Sequence, residues 1–372
     1  MRIFYLISSL KMGGAEIALS GLAPEIAKKG HVVHVAFFHD GPVRALLQLA
    51  GISMTALKGP VSYYDPISVI RLIRSIRQFR PDIMHTSLWS ANIIGRVVGK
   101  LMGIPVVSDL HGSCQFEGRL RNLGDQATAP LATTNVAVSQ SVAQAYIKLL
   151  DVPAHAPYAP LVIPNGIDTV ACQAQVHTTP LTRIAAGIPA NAFVIGSVGR
   201  LEPIKGYDLL LEAFALLTSR PDRPLWLYLV GDGSSRSLLE RKAEQLGIAQ
   251  RVIFAGFQAN PYPFYALFDC FALSSHSEGL SMALLEAMCL GLPCVTTHQN
   301  YYHDVITHEI NGLIVNSRVP AAYKEALDKF YNDREYRKEL GMAATATVEK
   351  RHTRTGVVTA YAALYEKMVP LR

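Results

Sequence analysis

The chain has 372 residues, of which half are hydrophobic and 17% are charged. Such a length accommodates two domains of ordinary size, and such a composition excludes an intrinsically disordered chain. The formal net charge of +6 resides in residues 1–165, whereas residues 166–372 are neutral, so the first half either faces an anionic partner or has a solvated basic surface.

Short apolar strands alternate with longer helical patterns in the first half of the chain. The N-terminal run RIFYLIS is short and ends before Lys11, and we interpret it as a buried strand rather than as a signal peptide. The strands predicted after it are HVVHVAFF, PDIMHTS, IPVVSD and TTNVAVS. This alternation is typical of a parallel sheet with crossover helices, so we predict a doubly wound, Rossmann-like domain over residues 1–168.

The same layout starts again after residues 169–192, a segment rich in Thr, Ala and Pro that we interpret as a linker. The strands predicted beyond it are FVIGSVGR, LWLYLVGDG, RVIFAGF, CFALSS and PCVTT. They indicate a second Rossmann-like domain over residues 193–353. We therefore predict an α/β fold in which two doubly wound domains face each other across a cleft, with the ligand outside the carboxyl ends of the strands.

Two cations follow the first strand of the predicted second domain. In SVGRLEPIKGYD, Arg200 and Lys205 lie in the loop between this strand and the next helix. Two fixed cations beside a helix N-terminus, whose free amides also attract anions, are suited to a diphosphate. The alternative is an ordinary pair of solvated surface charges.

Two glutamates eight residues apart interrupt the apolar run SSHSEGLSMALLEAMCLGLPCV. A carboxylate is costly to bury without partners, so we expect Glu278 and Glu286 to bind the hydroxyls of a sugar or ribose. Gly279 lets a ligand approach the backbone, and the amides of Leu280 and Ser281 are expected to be free at the start of a helix, which makes a second anion site. The alternative is chance spacing on an amphipathic helix.

The glycine pair in KMGGAEIAL follows the first strand directly. Gly13 and Gly14 are expected to permit a tight turn and close backbone contact with a ligand, with Glu16 in the helix that follows. The motif is not G-x-G-x-x-G, and the chain also lacks G-x-x-x-x-G-K-[ST]. These absences disfavour a nicotinamide dehydrogenase and a P-loop nucleotidase.

The segment VVSDLHGS places Asp109 and His111 at the carboxyl end of a strand of the first domain. His111 is a candidate because of this position, although a histidine is more often a packed or surface residue. The sequence contains no D-x-D, the usual carboxylate pair that holds a metal-bound nucleotide sugar. We therefore expect no metal and no cofactor, with Arg200, Lys205 and helix amides neutralising a departing diphosphate.

Taken in order, the segments GGAE, SDLHG, VIPNGID, VGRLEPIKG, LVGDG, FAGF and SEGLSMALLEAMCLGLPCV resemble the retaining glycosyltransferases of family 4, which have the GT-B fold. The resemblance covers nearly the whole chain. The family's E-x7-E motif falls on Glu278 and Glu286. It implies that Glu286 binds the ribose hydroxyls of the nucleotide and that Glu278 contacts hydroxyls of the donor sugar.

The resemblance also implies roles for residues outside this motif. Arg200 and Lys205 match the family's R-x4-K pair on the diphosphate, Gly14 matches a glycine turn that approaches it, and His111 matches a histidine near the transferred sugar. Members of the family are metal-independent and retain the anomeric configuration, so no protein nucleophile is expected. The C-terminal helix, at about residues 354–372, is expected to pack back on the first domain.

A basic helical pattern lies in DPISVIRLIRSIRQFRPD, where Arg71, Arg74 and Arg77 recur at a spacing of three with Ile and Leu between them. Such a helix suits an anionic lipid surface, although its apolar side could simply face the sheet. Because the first domain binds the acceptor in the family, and many relatives extend lipid-linked glycans, we expect peripheral association with the inner face of the cytoplasmic membrane.

The cysteines and the absence of long apolar runs bear on location. Five cysteines, an odd number without C-x-x-C spacing, suggest neither a disulfide framework nor a zinc site and favour a reducing cytoplasm. No run of about 18 uncharged apolar residues is present, so no membrane span is predicted. We expect a cytoplasmic protein without a nucleic-acid partner.

We therefore predict a metal-independent retaining glycosyltransferase. It would move a hexose or N-acetylhexosamine from a nucleotide-diphosphate sugar, with UDP favoured, to a glycan or lipid-linked acceptor. We expect it to act in the synthesis of bacterial surface polysaccharide, lipopolysaccharide or glycoconjugate. Two alternatives remain open: a sugar-nucleotide epimerase or hydrolase of GT-B fold, and a non-catalytic GT-B partner subunit.

Overall fold

The structure is a computed structural model that describes residues 1–57, 65–112, 118–178, 181–218, 224–297 and 304–369. The chain divides into two compact units. Unit 1 comprises Met1–Gly166 and Arg354–Arg372, and unit 2 comprises Ile167–Thr353.

Parallel strands form the centre of each unit. Within the described residues the strands are β1 (Arg2–Ser9), β2 (Val32–His39), β3 (Ser53–Ala56), β4 (Ile83–Ser87), β5 (Val106–Leu110), β6 (Thr134–Ala137), β7 (Leu161–Val162), β8 (Phe193–Val198), β9 (Leu225–Val230), β10 (Val252–Phe254), β11 (Cys270–Leu273), β12 (Cys294–Thr297) and β13 (Leu313–Val315).

Helices connect these strands. In the same described residues they are α1 (Gly14–Lys28), α2 (Val43–Leu49), α3 (Pro66–Phe79), α4 (Trp89–Met102), α5 (Arg119–Thr128), α6 (Gln140–Leu150), α7 (Thr169–Thr178), α8 (Tyr207–Leu217), α9 (Arg236–Gln245), α10 (Tyr262–Tyr265), α11 (Met282–Cys289), α12 (Pro320–Asn332), α13 (Arg334–Arg351) and α14 (Arg354–Met368). None of them combines the length and apolar character needed to cross a bilayer.

Unit 1 contains a parallel sheet with the strand order β3-β2-β1-β4-β5-β6-β7. Successive side chains of a strand point to opposite faces, so β1 supplies two cores at once. Tyr5 and Ile7 pack with α1 and α14 on one face, whereas Phe4 and Leu6 pack with α3 and α4 on the other. The unit is therefore doubly wound, as its sequence pattern predicts.

Unit 2 contains a parallel sheet with the order β10-β9-β8-β11-β12-β13. Phe193 and Ile195 of β8 are fully buried in a core shared with α8 and α12. Gly196 faces the opposite side, where an added Cβ would lie 2.0 Å from the ring of Phe268. The ring thus occupies the space that a side chain would need.

Capping residues set the start of several helices. Asp65 accepts a hydrogen bond from the amide of Ile67 at 2.7 Å, and Pro66 occupies the first position of α3, where no amide donor is required. The hydroxyl of Ser139 accepts from the amide of Val142 at 3.2 Å at the start of α6. These side chains satisfy amides that have no partner within the helix.

The segment interpreted as a linker from the sequence contains a helix, α7, and belongs to unit 2. This helix packs against α10 and α11 and buries Cys172. Its sequence lacks a continuous apolar stripe, which is why periodicity does not reveal it. The described residues of this segment, 169–178 and 181–192, therefore belong to unit 2.

The last helix, α14, packs on unit 1 although it lies at the end of the chain. Val358, Tyr361 and Tyr365 are buried in the same core as α1. Of the predicted range, residues 370–372 lie outside the described part of the chain. This packing brings α14 next to β1. The hydroxyl of Tyr365 lies within hydrogen-bond distance of the hydroxyl of Tyr5, and the ring of Tyr5 packs against the ring of His85.

Candidate functional site

The strand order of unit 2 reverses between β8 and β11. From β8 the chain continues to β9 and β10 on one side, and β11 leads to β12 and β13 on the other. Loops that leave such a position diverge and open a crevice at the carboxyl ends of the strands, where open α/β sheets bind ligands. Candidate residues should therefore follow β8 and β11.

Lys205 and Glu278 meet at this position. Lys205 ends a short 3₁₀ turn after β8, and Glu278 lies in the loop after β11. The ammonium of Lys205 contacts Oε1 of Glu278, which also accepts from the hydroxyl of Ser275 at 2.9 Å. The two charged side chains are 16% and 13% exposed, so their attraction is only partly screened by solvent.

Hydrogen bonds between the two loops hold this pair. The amide of His276 donates to the carbonyl of Ile204 at 2.7 Å, and the hydroxyl of Ser274 donates to the carbonyl of Lys205 at 3.2 Å. The guanidinium of Arg318 donates to the carbonyl of Ser274 at 3.0 Å. The site is thus fixed by its backbone as well as by the ion pair.

Gly206 is required by this arrangement for two reasons. Its φ of +61° lies in the left-handed region that residues with a Cβ rarely adopt. An added Cβ would also lie 2.4 Å from the carbonyl oxygen of Ser274. A side chain at this position would push the two loops apart.

The helix after Glu278 begins later than the sequence indicates. Ser281 is the N-cap of α11, and its hydroxyl accepts from the amide of Leu284 at 3.4 Å. Ser281, one of the two residues predicted for the first turn, is thus the N-cap, and Leu280 precedes it. The first turn starts at Met282, because the capping hydroxyl ends the extended segment that includes Gly279.

Glu286 lies within α11 and is 8% exposed. Its Oε2 accepts from the hydroxyl of Tyr265 at 2.7 Å, and its Oε1 accepts from that of Tyr262 at 3.4 Å. Burial raises the pKa of Glu286 to about 7, although both hydroxyls favour the charged form and act in the opposite direction. The carboxylate is thus poised between its two protonation states near neutral pH.

Arg200 is exposed at the end of β8. The amide of Glu202 donates to its carbonyl, and Glu202 itself accepts from Ser234 at 2.6 Å. The hydrogen bonds to Ser234 are the main cause that lowers the pKa of Glu202, with a smaller contribution from Arg200. Arg200 therefore lies at the predicted edge of the sheet and leaves its guanidinium in solvent.

The strand order of unit 1 reverses between β1 and β4, and the glycine pair follows β1. Gly14 is exposed and begins α1, as the sequence predicts. The expected tight turn is absent at Gly13, whose φ of −140° is an extended conformation open to any residue. The absence of a side chain at Gly13 leaves space for the carboxylate of the buried Glu16, because an added Cβ would lie 2.5 Å from its Oε2.

His111 follows β5 in unit 1, and its side chain is 11% exposed. Its Nε2 lies 3.6 Å from Oδ2 of Asp109, which lies 2.8 Å from Nε2 of His85. Burial favours the neutral carboxyl, yet His85 and His111 outweigh it and hold the pKa of Asp109 well below its usual range. Asp109 is therefore a buried negative charge beside His111.

The basic helix α3 has its arginines on the outside. Arg71, Arg74 and Arg77 are exposed, whereas Leu72 and Ile76 are buried in the core beneath. Its apolar side thus faces the sheet. Two further apolar residues, Ile67 and Ile70, are 44% and 54% exposed on the same helix.

The structure brings Lys205 and Glu278 into contact and places Glu286 on the following helix of unit 2. Gly14 and His111 belong to unit 1. Sequence reasoning missed a set of buried or partly buried aromatic partners that no local motif reveals. They are His85 and Tyr361 beside Asp109, with Tyr365 behind His85, and Tyr262 and Tyr265 beside Glu286.

Comparison with known proteins gives the same division of the chain. A model of glycosyltransferase family 4 matches residues 12–170, and a model of group 1 glycosyl transferases matches residues 179–347. The first match lies in unit 1 apart from its last residues, and the second lies in unit 2.

Individual relatives are also glycosyltransferases. The chain is 30% identical over 193 residues to the lipopolysaccharide core biosynthesis glycosyltransferase LpsD of Rhizobium meliloti. This match covers 52% of the chain and 55% of LpsD, about half the length of each. It is 27% identical over 280 residues to the Escherichia coli UDP-Gal:alpha-D-GlcNAc-diphosphoundecaprenol alpha-1,3-galactosyltransferase, covering 73% of the chain and 71% of that enzyme.

Among solved structures, HepE of Anabaena in complex with UDP-glucose superposes with a TM-score of 0.86 at 24% identity, covering 99% of this chain and 100% of HepE. This likeness shows the fold. Because the two family models together match most of the chain in the order of its units, the chain belongs to the family 4 glycosyltransferases.

Proposed function

We propose that the protein is a metal-independent retaining glycosyltransferase whose donor is a nucleotide-diphosphate sugar, with UDP favoured. The transferred group is a hexose or N-acetylhexosamine, and the acceptor is a glycan or a lipid-linked glycan. The pathway class is bacterial surface polysaccharide, lipopolysaccharide or glycoconjugate synthesis. The names of the relatives support this class, since LpsD acts in lipopolysaccharide core synthesis and the E. coli enzyme uses UDP-Gal.

The observation that carries the proposal is the meeting of Lys205 and Glu278 where the strand order of unit 2 reverses. A cation and a carboxylate at this position suit a ligand that is anionic in one part and rich in hydroxyls in the next. A sugar bonded to a diphosphate has this pattern. Oε1 of Glu278 is engaged by Lys205 and Ser275, so Oε2 keeps its capacity to accept from a sugar hydroxyl.

In this proposal the diphosphate binds to cations and amides. Arg200 and Lys205 supply the positive charge, and Gly279 and the start of α11 allow the backbone to approach, with Leu280 and Ser281 lining the same segment. Charge develops on the leaving phosphate as the glycosidic bond breaks. Cations placed there in advance stabilise the transition state more than the ground state, which is why they contribute to turnover.

The remaining residues bind the neutral parts of the donor. Glu286 accepts from the ribose hydroxyls, and Glu278 accepts from hydroxyls of the transferred sugar. The family resemblance assigns Gly14 to the diphosphate and His111 to the transferred sugar, and we propose the same roles for them here. No protein nucleophile is assigned, because the leaving phosphate itself takes the proton of the acceptor on the face from which it departs. The protein then contributes positioning and charge neutralisation.

The arginines of α3 support a proposed peripheral association with anionic membrane at the inner face of the cytoplasmic membrane. Arg71, Arg74 and Arg77 project outward beside the exposed Ile67 and Ile70. We expect binding to vesicles of phosphatidylglycerol that weakens with salt, because exposed charges are screened. Equal, salt-insensitive recovery on neutral phosphatidylcholine vesicles would contradict this part of the proposal.

The test of the function is release of UDP from UDP-glucose, UDP-galactose and UDP-N-acetylglucosamine in EDTA. Each donor is assayed with and without a short-chain diphosphate-linked N-acetylglucosamine or deacylated lipopolysaccharide core. Release that requires an acceptor, with a product of the donor's own anomeric configuration, is the expected result. Release without any acceptor would favour the hydrolase or epimerase, and binding without release would favour the non-catalytic subunit.

A further inference from the structure

Asp109 is held from two sides in the interior of unit 1. Its Oδ1 accepts from the hydroxyl of Tyr361 at 2.7 Å, and its Oδ2 lies 2.8 Å from Nε2 of His85. Asp109 is 5% exposed, and the other two residues are 4% and 1% exposed. One oxygen thus accepts a hydrogen bond and the other lies at ion-pair distance from a buried imidazole, so in this packed interior the negative charge keeps a fixed place.

A second layer fixes His85. Its Nδ1 lies 2.5 Å from the hydroxyl of Tyr365, and that hydroxyl lies 3.1 Å from the hydroxyl of Tyr5. Burial raises the pKa of both tyrosines, so their hydroxyls stay protonated. If His85 is neutral, Tyr5 donates to Tyr365, Tyr365 donates to Nδ1, and the proton of His85 lies on Nε2 toward the carboxylate.

If His85 is protonated, its Nε2 still carries a proton near the carboxylate of Asp109. Both ring nitrogens then carry protons: Tyr365 accepts from Nδ1 and donates its own hydroxyl to Tyr5, and the charged Nε2 lies at ion-pair distance, 2.8 Å, from Oδ2 of Asp109. In both cases the carboxylate acts as an acceptor. Tyr361 and Tyr365 of α14 and Tyr5 of β1 thus hold the charged Asp109, which lies two residues before His111 in the sequence.

The fixed negative charge of Asp109 affects the tautomer of His111. Its Nε2 lies 3.6 Å from Oδ2 of Asp109, just beyond hydrogen-bond distance, and the negative charge of the carboxylate electrostatically favours the tautomer in which Nε2 carries the proton. Nδ1 is then left as an acceptor for a hydroxyl. An aspartate that orients an imidazole and fixes its tautomer is a known device in other enzymes.

We propose that Asp109 is a positioning residue for His111, and that His85 and Tyr361 hold Asp109 in place. The network fixes the Nε2-protonated tautomer of His111, so that Nδ1 accepts from a hydroxyl of the transferred sugar. The second part rests on the proposed function, whereas the tautomer is a property of the protein alone. The C-terminal helix thereby contributes to the site and not only to the core.

The first test is histidine side-chain NMR on the full chain labelled with ¹⁵N-histidine. Long-range ¹H–¹⁵N spectra identify the tautomer, and His111→Gln assigns the signal. We expect the Nε2-protonated form of His111 in the parent and a mixture of tautomers in Asp109→Asn and Tyr361→Phe. Tyr146→Phe is the matched control, because it removes another buried tyrosine hydroxyl of unit 1 and should leave the His111 signal unchanged.

The second test is a double-mutant cycle on UDP release, with the donor and the acceptor that support release in the assay of the proposed function. Tyr361→Phe and Asp109→Asn should each lower kcat, by about tenfold for Asp109→Asn, with little change in KM. Both effects should vanish in a His111→Gln background, because these residues act through that ring. Equal losses in both backgrounds would assign the network to stability alone and overturn the proposal.

The two tests separate the proposal from the function on which it rests. If His111→Gln leaves turnover unchanged, the proposed role of His111 fails, but the spectra still decide whether Asp109 positions the ring. An unchanged His111 tautomer in both Asp109→Asn and Tyr361→Phe overturns the positioning role. Tyr361→Phe also guards against misfolding, since it removes a single hydroxyl and keeps the ring.

Discussion

Glu286→Gln should stabilise the protein at alkaline pH and weaken nucleotide binding at the same time. The carboxylate of Glu286 is buried in α11 and is bonded by Tyr265 and Tyr262. These contacts are not enough to keep it at its ordinary pKa. Glutamine has nearly the same shape and still accepts from Tyr265, but it carries no charge.

The magnitude follows from the pKa. Burial raises the pKa of Glu286 from 4.5 to about 7, and each pKa unit corresponds to about 1.4 kcal/mol. The folded state therefore holds this proton more tightly than the unfolded state. Its contribution to stability is complete below about pH 4.5 and is lost as the pH rises through about 7, which costs about 3 kcal/mol above that pH.

The stability assay compares urea unfolding of the parent and Glu286→Gln between pH 4.5 and 8.5. We expect the variant to gain about 2 kcal/mol at pH 8.5, after allowance for the weaker acceptor toward Tyr262, and to gain nothing at pH 4.5. Glu244→Gln, an exposed change in the same unit, should show no such trend.

The binding assay uses calorimetry with UDP in EDTA. If an ionised Glu286 accepts from the ribose hydroxyls, affinity of the parent should fall on the order of tenfold between pH 8 and pH 6, because the ionised fraction falls by that factor. Glu286→Gln should bind more weakly at pH 8 and should lack the part of the slope that the carboxylate causes. Titration of UDP itself is common to both proteins and cancels in the comparison.

Two results would refute this reasoning. A loss of stability in Glu286→Gln at pH 8.5 would mean that burial of the ionised carboxylate does not destabilise the folded state. An identical pH dependence of UDP affinity in both proteins would mean that Glu286 does not bind the nucleotide.

Three further substitutions test the site and its support. Lys205→Ala should lower kcat on the order of 100-fold while UDP affinity changes less than tenfold, measured by steady-state kinetics and calorimetry; equal losses in both would place Lys205 in ground-state binding. Gly206→Ala should destabilise by about 2 kcal/mol or more, because its φ is +61° and its Cβ would meet the carbonyl of Ser274; unchanged urea unfolding would contradict this. Asp125→Ala should cost about 4 kcal/mol, since it leaves the fully buried Arg96 without its carboxylate; a loss under 1 kcal/mol would show that the charge finds water.

Much of the fold follows from local pattern. Apolar strands followed by amphipathic helices predict both doubly wound units, and the sheets have parallel order throughout the described strands. The helix α7 could not be predicted in this way, because it buries Cys172 but has no continuous apolar stripe along one face. The start of α11 could not be predicted from periodicity either, because it is set by the capping hydrogen bond of the Ser281 hydroxyl.

The site is harder to predict than the fold, since its contacts join distant parts of the chain. Lys205 and Glu278 are 73 residues apart, and Tyr361 and Asp109 are 252 residues apart. Motifs can nominate Lys205, Glu278 and His111, but no spacing rule says that a lysine will meet a glutamate or that a terminal helix will hold an aspartate. Those contacts depend on how the sheet orders its strands.

The most direct test of the central claim is calorimetric titration of UDP, GDP and ADP in EDTA against the parent, Glu286→Ala and the exposed control Glu244→Ala. We predict that the parent and the control bind one nucleotide family, with UDP favoured, and that Glu286→Ala loses at least tenfold in affinity. Binding of none of the three nucleotides, or equal affinity of parent and Glu286→Ala, would contradict a metal-independent nucleotide-sugar site in unit 2.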